Sequence, residues 1–429
     1  MLIYCEHITP RVSYVFDYVF TDRLGINVEF SSDADAFINS GTQKLNYSAK
    51  HFDAGPSIVP EGLLFEKKIR KPKPGVVYKN GIPVIFSNTS DFGFDLFSAV
   101  FYFISRYEEY QKFEPDLHGR FPAKESLAFQ HIFLNQPVVD YWIILFKDFL
   151  KKNFPQVKFK EEQFEQIPTI DVDSPWCYRN KGFIRNTLGL LRDLFKFEMA
   201  KVLLRLLVLI RLKSDPWFVF YKVNCLFAAN QLHPKYFIHV GHYGRYDKSV
   251  RRNNLIFRRF VKKLDSFYPV ALHPSYKSAG NLSLLKSECS ALSKIVDKPI
   301  SQSRQHFLKF KLPDYYQMLI AAGITDDFSM GFADKPGFRA GTSRPFCWYD
   351  LKNETKTILQ VHPFAIMDRT LVKYQHLTGN AAKLVYEELK HQVQQVNGLF
   401  VTLWHNESLG NQDEWKGWYE LFKELMKKN

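Results

Sequence analysis

Apolar runs recur through the second part of the chain, and each ends in a polar group: IPTIDVD (167–173), KYFIHV (235–240), YPVALHP (268–274), TILQVHP (357–363) and GLFVTLWH (398–405). Between them lie stretches with apolar residues at helical spacing, such as NLIFRRFVKKLDSF (254–267) and NLSLLKSECSALSKIV (281–296). Strand runs alternating with helical runs predict a parallel α/β sheet or barrel, with chemistry where the strands end.

The first part of the chain is more mixed. MLIYCE and PVIFSN read as short strands, and FDLFSAVFYFISRYEEYQKF and VVDYWIILFKDFLKKNF as helices. The charged run KFKEEQFEQIP then reads as a linker, so the expected division is a smaller α/β domain over 1–166 and a second domain over 167–429. One segment breaks the rhythm of the second part. Around 179–214, Leu188, Leu191, Phe195, Met199, Val202, Leu206 and Leu209 share a helical face, and basic residues outnumber acidic ones. Its charges exclude a membrane span of ~20 nearly uncharged residues. The expectation is a helical insertion packed on the core, with a helix lying on a membrane surface as the alternative.

Composition adds a sign. The 429 residues carry a formal net charge of +14, which favours anionic contacts. No recognisable nucleic-acid module accompanies that charge, so nucleic acid is not expected as a partner, and peripheral contact with an anionic membrane stays as the alternative tied to the 179–214 segment. The five scattered cysteines form no CxxC pair, and MLIYCEHITPRV lacks the pattern of a secretory signal. Both point to a cytoplasmic protein, on the inner membrane face where it touches lipid.

The strand ends carry the candidate chemistry. Asp171 and Asp173 are two apart, so in a strand they project the same way and repel unless a cation or proton is shared. Such a pair fits a solvated strand end, a diphosphate-and-metal site of a glycosyltransferase, or a metal-dependent deacetylase. His273 follows a second run, Arg304 and His306 would share a face in SRQHFLKF, and His405 ends GLFVTLWH with Asn406 and Glu407 after it.

In this order the segments resemble the polysaccharide deacetylases with a NodB homology domain, the fourth family of carbohydrate esterases, over about Pro168 to Met426. The similarity is closest to a divergent branch with an N-terminal domain of unknown role, through SRYEEY (105–110), HGRFP (118–122), LHPSY (272–276), SRQH (303–306), SMGFADKPGFRAGT (329–342) and WHNES (404–408). The resemblance implies a distorted (β/α)7 barrel holding a divalent metal, zinc first, with Co2+, Mn2+ or Ni2+ as alternatives. It further implies Asp171 as base, Asp173 and His273 as metal ligands, Arg304 as partner of the base and His405 as acid. The activity implied is removal of N-acetyl groups from sugars of a polysaccharide or lipid-linked glycan of the cell envelope.

The pattern is broken at Lys277, where the family places a second ligand histidine; an ammonium cannot ligate a cation. His306 is the first substitute and His242 the second, with His239 and His242 otherwise structural. A decayed, glycan-binding barrel is the competing reading, and a glycosyltransferase using Asp171 and Asp173 the third. Asp327 is a candidate for steering His405 or the substrate, Arg339 for an anionic group, and Tyr276 and Trp404 for stacking on sugar.

Overall fold

The computed structural model describes residues 1–72 and 74–427. At the N-terminal end, strands β1 (Leu2–Tyr4), β2 (Glu29–Ser31) and β3 (Lys44–Asn46) form a small parallel sheet in the order β2-β1-β3. A separate hairpin joins β4 (Val76–Lys79) to β5 (Ile82–Ile85). The helix Leu96–Ile104 is buried along its whole length, as a run that is apolar all round but for Ser98 requires.

The large sheet has nine strands. These are β6 (Glu165–Val172), β7 (Lys235–Ile238), β8 (Val270–Leu272), β9 (Gln302–Ser303), β10 (Asp326–Asp327), β11 (Phe346–Asp350), β12 (Thr355–Val361), β13 (Ile366–Met367) and β14 (Leu399–His405). Their order is β11-β12-β10-β9-β8-β7-β6-β14-β13, and every pairing is parallel except that of β11 with β12. Helices such as Leu255–Asp265, Leu282–Val296 and Gly379–Gln395 connect the parallel strands. Coverage by helices explains why β6 is buried from Pro168 to Val172 with no polar-out alternation. The fold is therefore mixed α/β around one large sheet. One stretch of chain, Thr355–Met367, pairs with β10 through Val361 and with β14 through Ile366 and Met367.

The N-terminal region packs directly on this sheet. Tyr14 and Phe101 lie 4.9 and 5.2 Å from the Tyr349 ring on β11. SRYEEY and PGFRAGT meet in a buried ion network: the Glu109 carboxylate accepts from Arg106 at 2.7 Å and from Arg339 at 2.6 Å. Gly341 (φ 64°) lies where a Cβ would come within 2.7 Å of the Phe103 ring, so this joint needs glycine for both conformation and space.

The core-packed insertion expected over 179–214 is not what forms. Two helices, Phe183–Phe195 and Met199–Leu209, make a hairpin that turns at Phe197 (φ 55°). Leu188, Leu191, Phe195, Met199, Leu206 and Leu209 are exposed, and of the predicted face only Val202 is buried. The reason is an ion pair on the inner side: Arg205 donates to Asp193 at 2.6 Å, and both residues are buried. No helix among the described residues is long and apolar enough to cross a membrane.

Candidate metal and acid–base site

Strands β9, β8, β7, β6 and β14 are neighbours, so their C-terminal ends converge, and Asp171 sits opposite His405 in the β6–β14 register. A cavity of about 210 Å³ opens there, lined among others by Asp171, Asp173, His273, His306 and His405.

Asp171 and Thr169, two apart on β6, face the same guanidinium. Arg304 donates Nη1–H to Asp171 Oδ1 at 2.9 Å and to Thr169 Oγ1 at 2.7 Å, and Nε–H to the Phe328 carbonyl at 2.9 Å. Complete burial drives the Arg304 pKa down from its ordinary value, and the Asp171 charge opposes that shift.

The histidine tautomers follow from their partners. His273 Nδ1 lies 2.7 Å from the Arg304 carbonyl, which can only accept, so Nδ1 carries the proton and Nε2 a lone pair. That Nε2 points at Asp173 Oδ1, 3.2 Å away, and neither atom has a hydrogen-bond partner. His306 is held likewise: its Nδ1 lies 3.0 Å from Asp247 Oδ1, and its Nε2 is 3.4 Å from the same Asp173 oxygen. Lone pairs that face one another across a buried gap are favourable only with positive charge between them. The ligand atoms of Asp173, His273 and His306 lie within 4.8 Å of one another, and an Asp-His-His set suits Zn2+, with Co2+, Ni2+ and Mn2+ as softer and harder alternatives.

Without a cation, His306 itself supplies positive charge. Burial alone would raise the Asp173 carboxyl, yet His306 and His273 hold it well below its ordinary range. Burial would likewise lower His306, but Asp173 and Asp247 push it up to about 9, so its ring carries a second proton that a bound cation would displace from Nε2. The neighbouring His239, buried with no carboxylate at hydrogen-bond distance, is driven down to about 4, and so stays neutral. Its Nδ1–H donates to the His273 carbonyl at 3.0 Å, and with Asp247 and His306 it forms a second buried group of potential ligands. His242, the second substitute, is exposed and belongs to neither group. Lys277 is also exposed and lies outside the cavity wall.

His405 has its own carboxylate. Asp368, the residue after β13, accepts from His405 Nδ1 and from the His405 backbone N–H, each at 2.7 Å, and from the Ser408 hydroxyl. That leaves Nε2 as the second ring nitrogen. Asp327, the sequence candidate for steering His405, instead accepts from Ser329 N, Ser329 Oγ and Tyr316 OH. It is buried and lines no part of the cavity, because its two-residue strand turns the side chain into the sheet's own packing.

Three other candidates are also placed elsewhere. Arg339 is locked to Glu109 inside the joint with the N-terminal region. Trp404 faces the helix layer, 4.9 Å from Phe422, because alternation along β14 turns it away from His405. Tyr276 sits behind Phe307, its ring 4.3 Å from Tyr246 and its hydroxyl 3.2 Å from His118 Nδ1.

Several wall residues carry little signal in sequence. Arg120, from HGRFP, donates to the Phe307 carbonyl at 2.7 Å and to Tyr374 OH at 3.0 Å, so the N-terminal region supplies part of the rim. Phe307 itself has φ 62°, a left-handed conformation unusual for an aromatic residue, which carries the chain from His306 into the wall. Arg369 donates to Glu407 at 2.6 Å and lies 3.5 Å from Asp173 Oδ2, covering the oxygen that the histidines leave free.

A family of unknown function (DUF7033) matches residues 1–155. No curated protein matches the chain. Among solved structures, a protein assigned as a polysaccharide deacetylase from Mycobacterium smegmatis overlaps 62% of this chain and 85% of its own at 11% identity, with a TM-score of 0.39. A polysaccharide deacetylase from Bacillus cereus overlaps 58% of this chain and 80% of its own, also at 11% identity, with a TM-score of 0.25.

Proposed function

We propose that the chain is a metal-dependent hydrolase that removes N-acetyl groups from sugars of a polysaccharide or lipid-linked glycan. The observation that carries this reading is the shared oxygen of Asp173, faced by two imidazole Nε2 atoms whose other nitrogens are already committed. A divalent cation held by Asp173, His273 and His306 would supply Lewis acidity toward a carbonyl and a water molecule.

The chain's own residues would do the rest. Asp171, fixed by Arg304, takes a proton from the attacking water as general base. His405, held by Asp368, delivers a proton from Nε2 to the departing amine; its placement opposite Asp171 puts base and acid on adjacent strands. Asp247 is a positioning residue that fixes the His306 ring. Leu308, Ala333, Met367 and Leu403 give the cavity an apolar side suited to an acetyl methyl group.

The same proposal includes a two-domain organisation, 1–166 and 167–429, and a seven-stranded distorted barrel for the second. The barrel reading is supported by the stretch 355–367, which pairs with β10 at one end and β14 at the other and so joins both ends of the parallel series. The decayed-barrel alternative rested on Lys277, and it loses weight because that side chain is exposed and His306 stands with Asp173 and His273. A glycosyltransferase would leave His273, His306 and His405 without work.

The test is acetate release from N-acetylated oligosaccharides by purified protein loaded with Zn2+, Co2+ or Mn2+, with the Asp171→Asn and His405→Ala variants alongside. Loss of activity in both is expected. Absence of acetate from every N-acetylated glycan tested, with stoichiometric metal bound, would sink the assignment.

A further inference from the structure

The hairpin 183–209 leaves most of its large apolar side chains in solvent and buries few. Thirteen of the thirty exposed large apolar side chains among the described residues lie between Phe183 and Leu212, from Phe183 at 84% and Phe197 at 86% to Leu209 at 39%. Meanwhile the inner side holds a buried ion pair beside only two apolar residues, Val202 and Val208. Arg205 is clamped to Asp193, stacks on Tyr178 at 4.6 Å, and packs so closely on Gly189 that a Cβ there would meet its guanidinium at 2.7 Å. Arg185 ties the first helix to the body through the Ser249 carbonyl at 2.8 Å and the Tyr243 ring at 4.2 Å. These contacts fix which side faces inward, so the apolar side is directed outward by design of the sequence and not by loose packing.

The rim of that apolar side is cationic. Lys196 lies at the tip between Phe195 and Phe197, and Arg211 and Lys213 flank Leu212 at the base; all three are exposed and none takes part in an ion pair among the described residues. Helices of 13 and 11 residues are too short to span a bilayer, which leaves lying along its surface. A second copy of the chain would bring the same cations together, whereas an anionic headgroup layer neutralises them while the leucines and phenylalanines enter the acyl boundary.

We propose that this hairpin is a membrane-docking element that seats the protein on an anionic bilayer surface. The base of the hairpin is stapled beside the site. The Asp215 carboxylate accepts from the backbone N–H groups of Cys177, Tyr178 and Arg179 at 2.7 to 3.0 Å, on the loop that follows Asp173. Asn406, next to His405, donates to the Ser174 and Trp217 carbonyls at 3.0 Å. Docking would thus hold the cavity close to the headgroup plane, whatever reaction it performs.

The test is co-sedimentation of the full chain with phosphatidylglycerol-containing vesicles and with phosphatidylcholine vesicles. Three proteins are compared: wild type, a Phe195→Glu/Phe197→Glu/Leu203→Glu variant, and a Lys196→Gln/Arg211→Gln/Lys213→Gln variant. Wild type is expected to sediment with the anionic vesicles, the apolar-face variant to remain in the supernatant, and the charge variant to bind on the order of a hundredfold more weakly. All six side chains are at least partly exposed, and should the apolar-face variant misfold, the charge variant decides alone. Wild type that never sediments, or variants that sediment as it does, would overturn the proposal. So would light scattering that shows a dimer lost in the apolar-face variant together with no vesicle binding, which would give the face to a second copy.

Discussion

The strand ends around Asp173 and the outer side of the hairpin break the ordinary rule of burial in opposite directions. At the first, polar atoms are buried without polar partners: Asp173 Oδ1 and His273 Nε2 face each other unbonded. At the second, apolar side chains stand in solvent while an ion pair is buried behind them. Each arrangement costs free energy in an isolated chain, and in the proposals above each would be restored by a different partner, a cation in one case and a lipid surface in the other. What the contrast teaches is that an unsatisfied group is informative only when its neighbours fix its direction. The Arg304 carbonyl and Asp247 do this for the histidines, and Arg205 and Arg185 for the hairpin.

The strongest way to break the comparison is to remove the shared oxygen. Asp173→Ala leaves His273 and His306 without the carboxylate between them, and zinc affinity is expected to fall roughly a hundredfold or more. Lys277→Ala, exposed and outside the cavity, should leave metal content unchanged. Elemental analysis after dialysis checks both; a Lys277→Ala protein that loses its metal would show that the ligand set has been misassigned.

The hairpin offers the next effect. Arg205→Leu strands the buried Asp193 carboxylate, which keeps only Arg192 at 2.7 Å on its exposed side. Local destabilisation of about 3 kcal/mol is expected, read as faster hydrogen exchange over 183–209. The double variant Asp193→Leu/Arg205→Leu removes the lone charge and should recover much of the protection. With an apolar inner side competing against the outer one, it should also lose the fixed orientation, which lowers vesicle binding.

How legible these regions were in sequence differs for a physical reason. β6 and β14 are long enough to mark Asp171, Asp173 and His405 as strand-end groups, whereas the strand before Arg304 and His306 ends at Ser303, so the shared face expected from their i, i+2 spacing does not form: His306 lines the cavity and Arg304 lies behind Asp171. Asp368 follows a strand of only two residues, and Asp247 lies in an irregular loop, so no periodicity announces either. Trp404 adjoins a catalytic candidate in sequence but not in the cavity, since neighbouring residues on a strand face opposite ways, and Tyr276 lies in a turn beyond the end of its strand, where no strand periodicity applies. For the hairpin, spacing identified an apolar face; what that face meets depends on Asp193 and Arg205 meeting across two helices, a long-range fact that local spacing does not contain.

Asp327 supplies the smallest effect and a control for the first region, because it is a buried carboxylate whose hydrogen-bond partners are complete. Burial pushes its pKa up from 3.8 to about 6, although Ser329, Tyr316 and Arg304 pull the other way. A raised carboxyl pKa means that the folded state holds the proton more tightly than the unfolded chain. The resulting stability is therefore fully present below pH 3.8, declines between 3.8 and about 6, and is gone above that. Asp327→Asn mimics the protonated form across the whole range, so its stability relative to wild type should rise between these pH values, by about 3 kcal/mol at most. Wild type and variant that keep a constant difference from pH 4 to 7 would mean that Asp327 stays ionised in the fold. Its three donors would then suffice to hold a buried charge, and the unbonded oxygen of Asp173 would stand out as the exception that needs a cation.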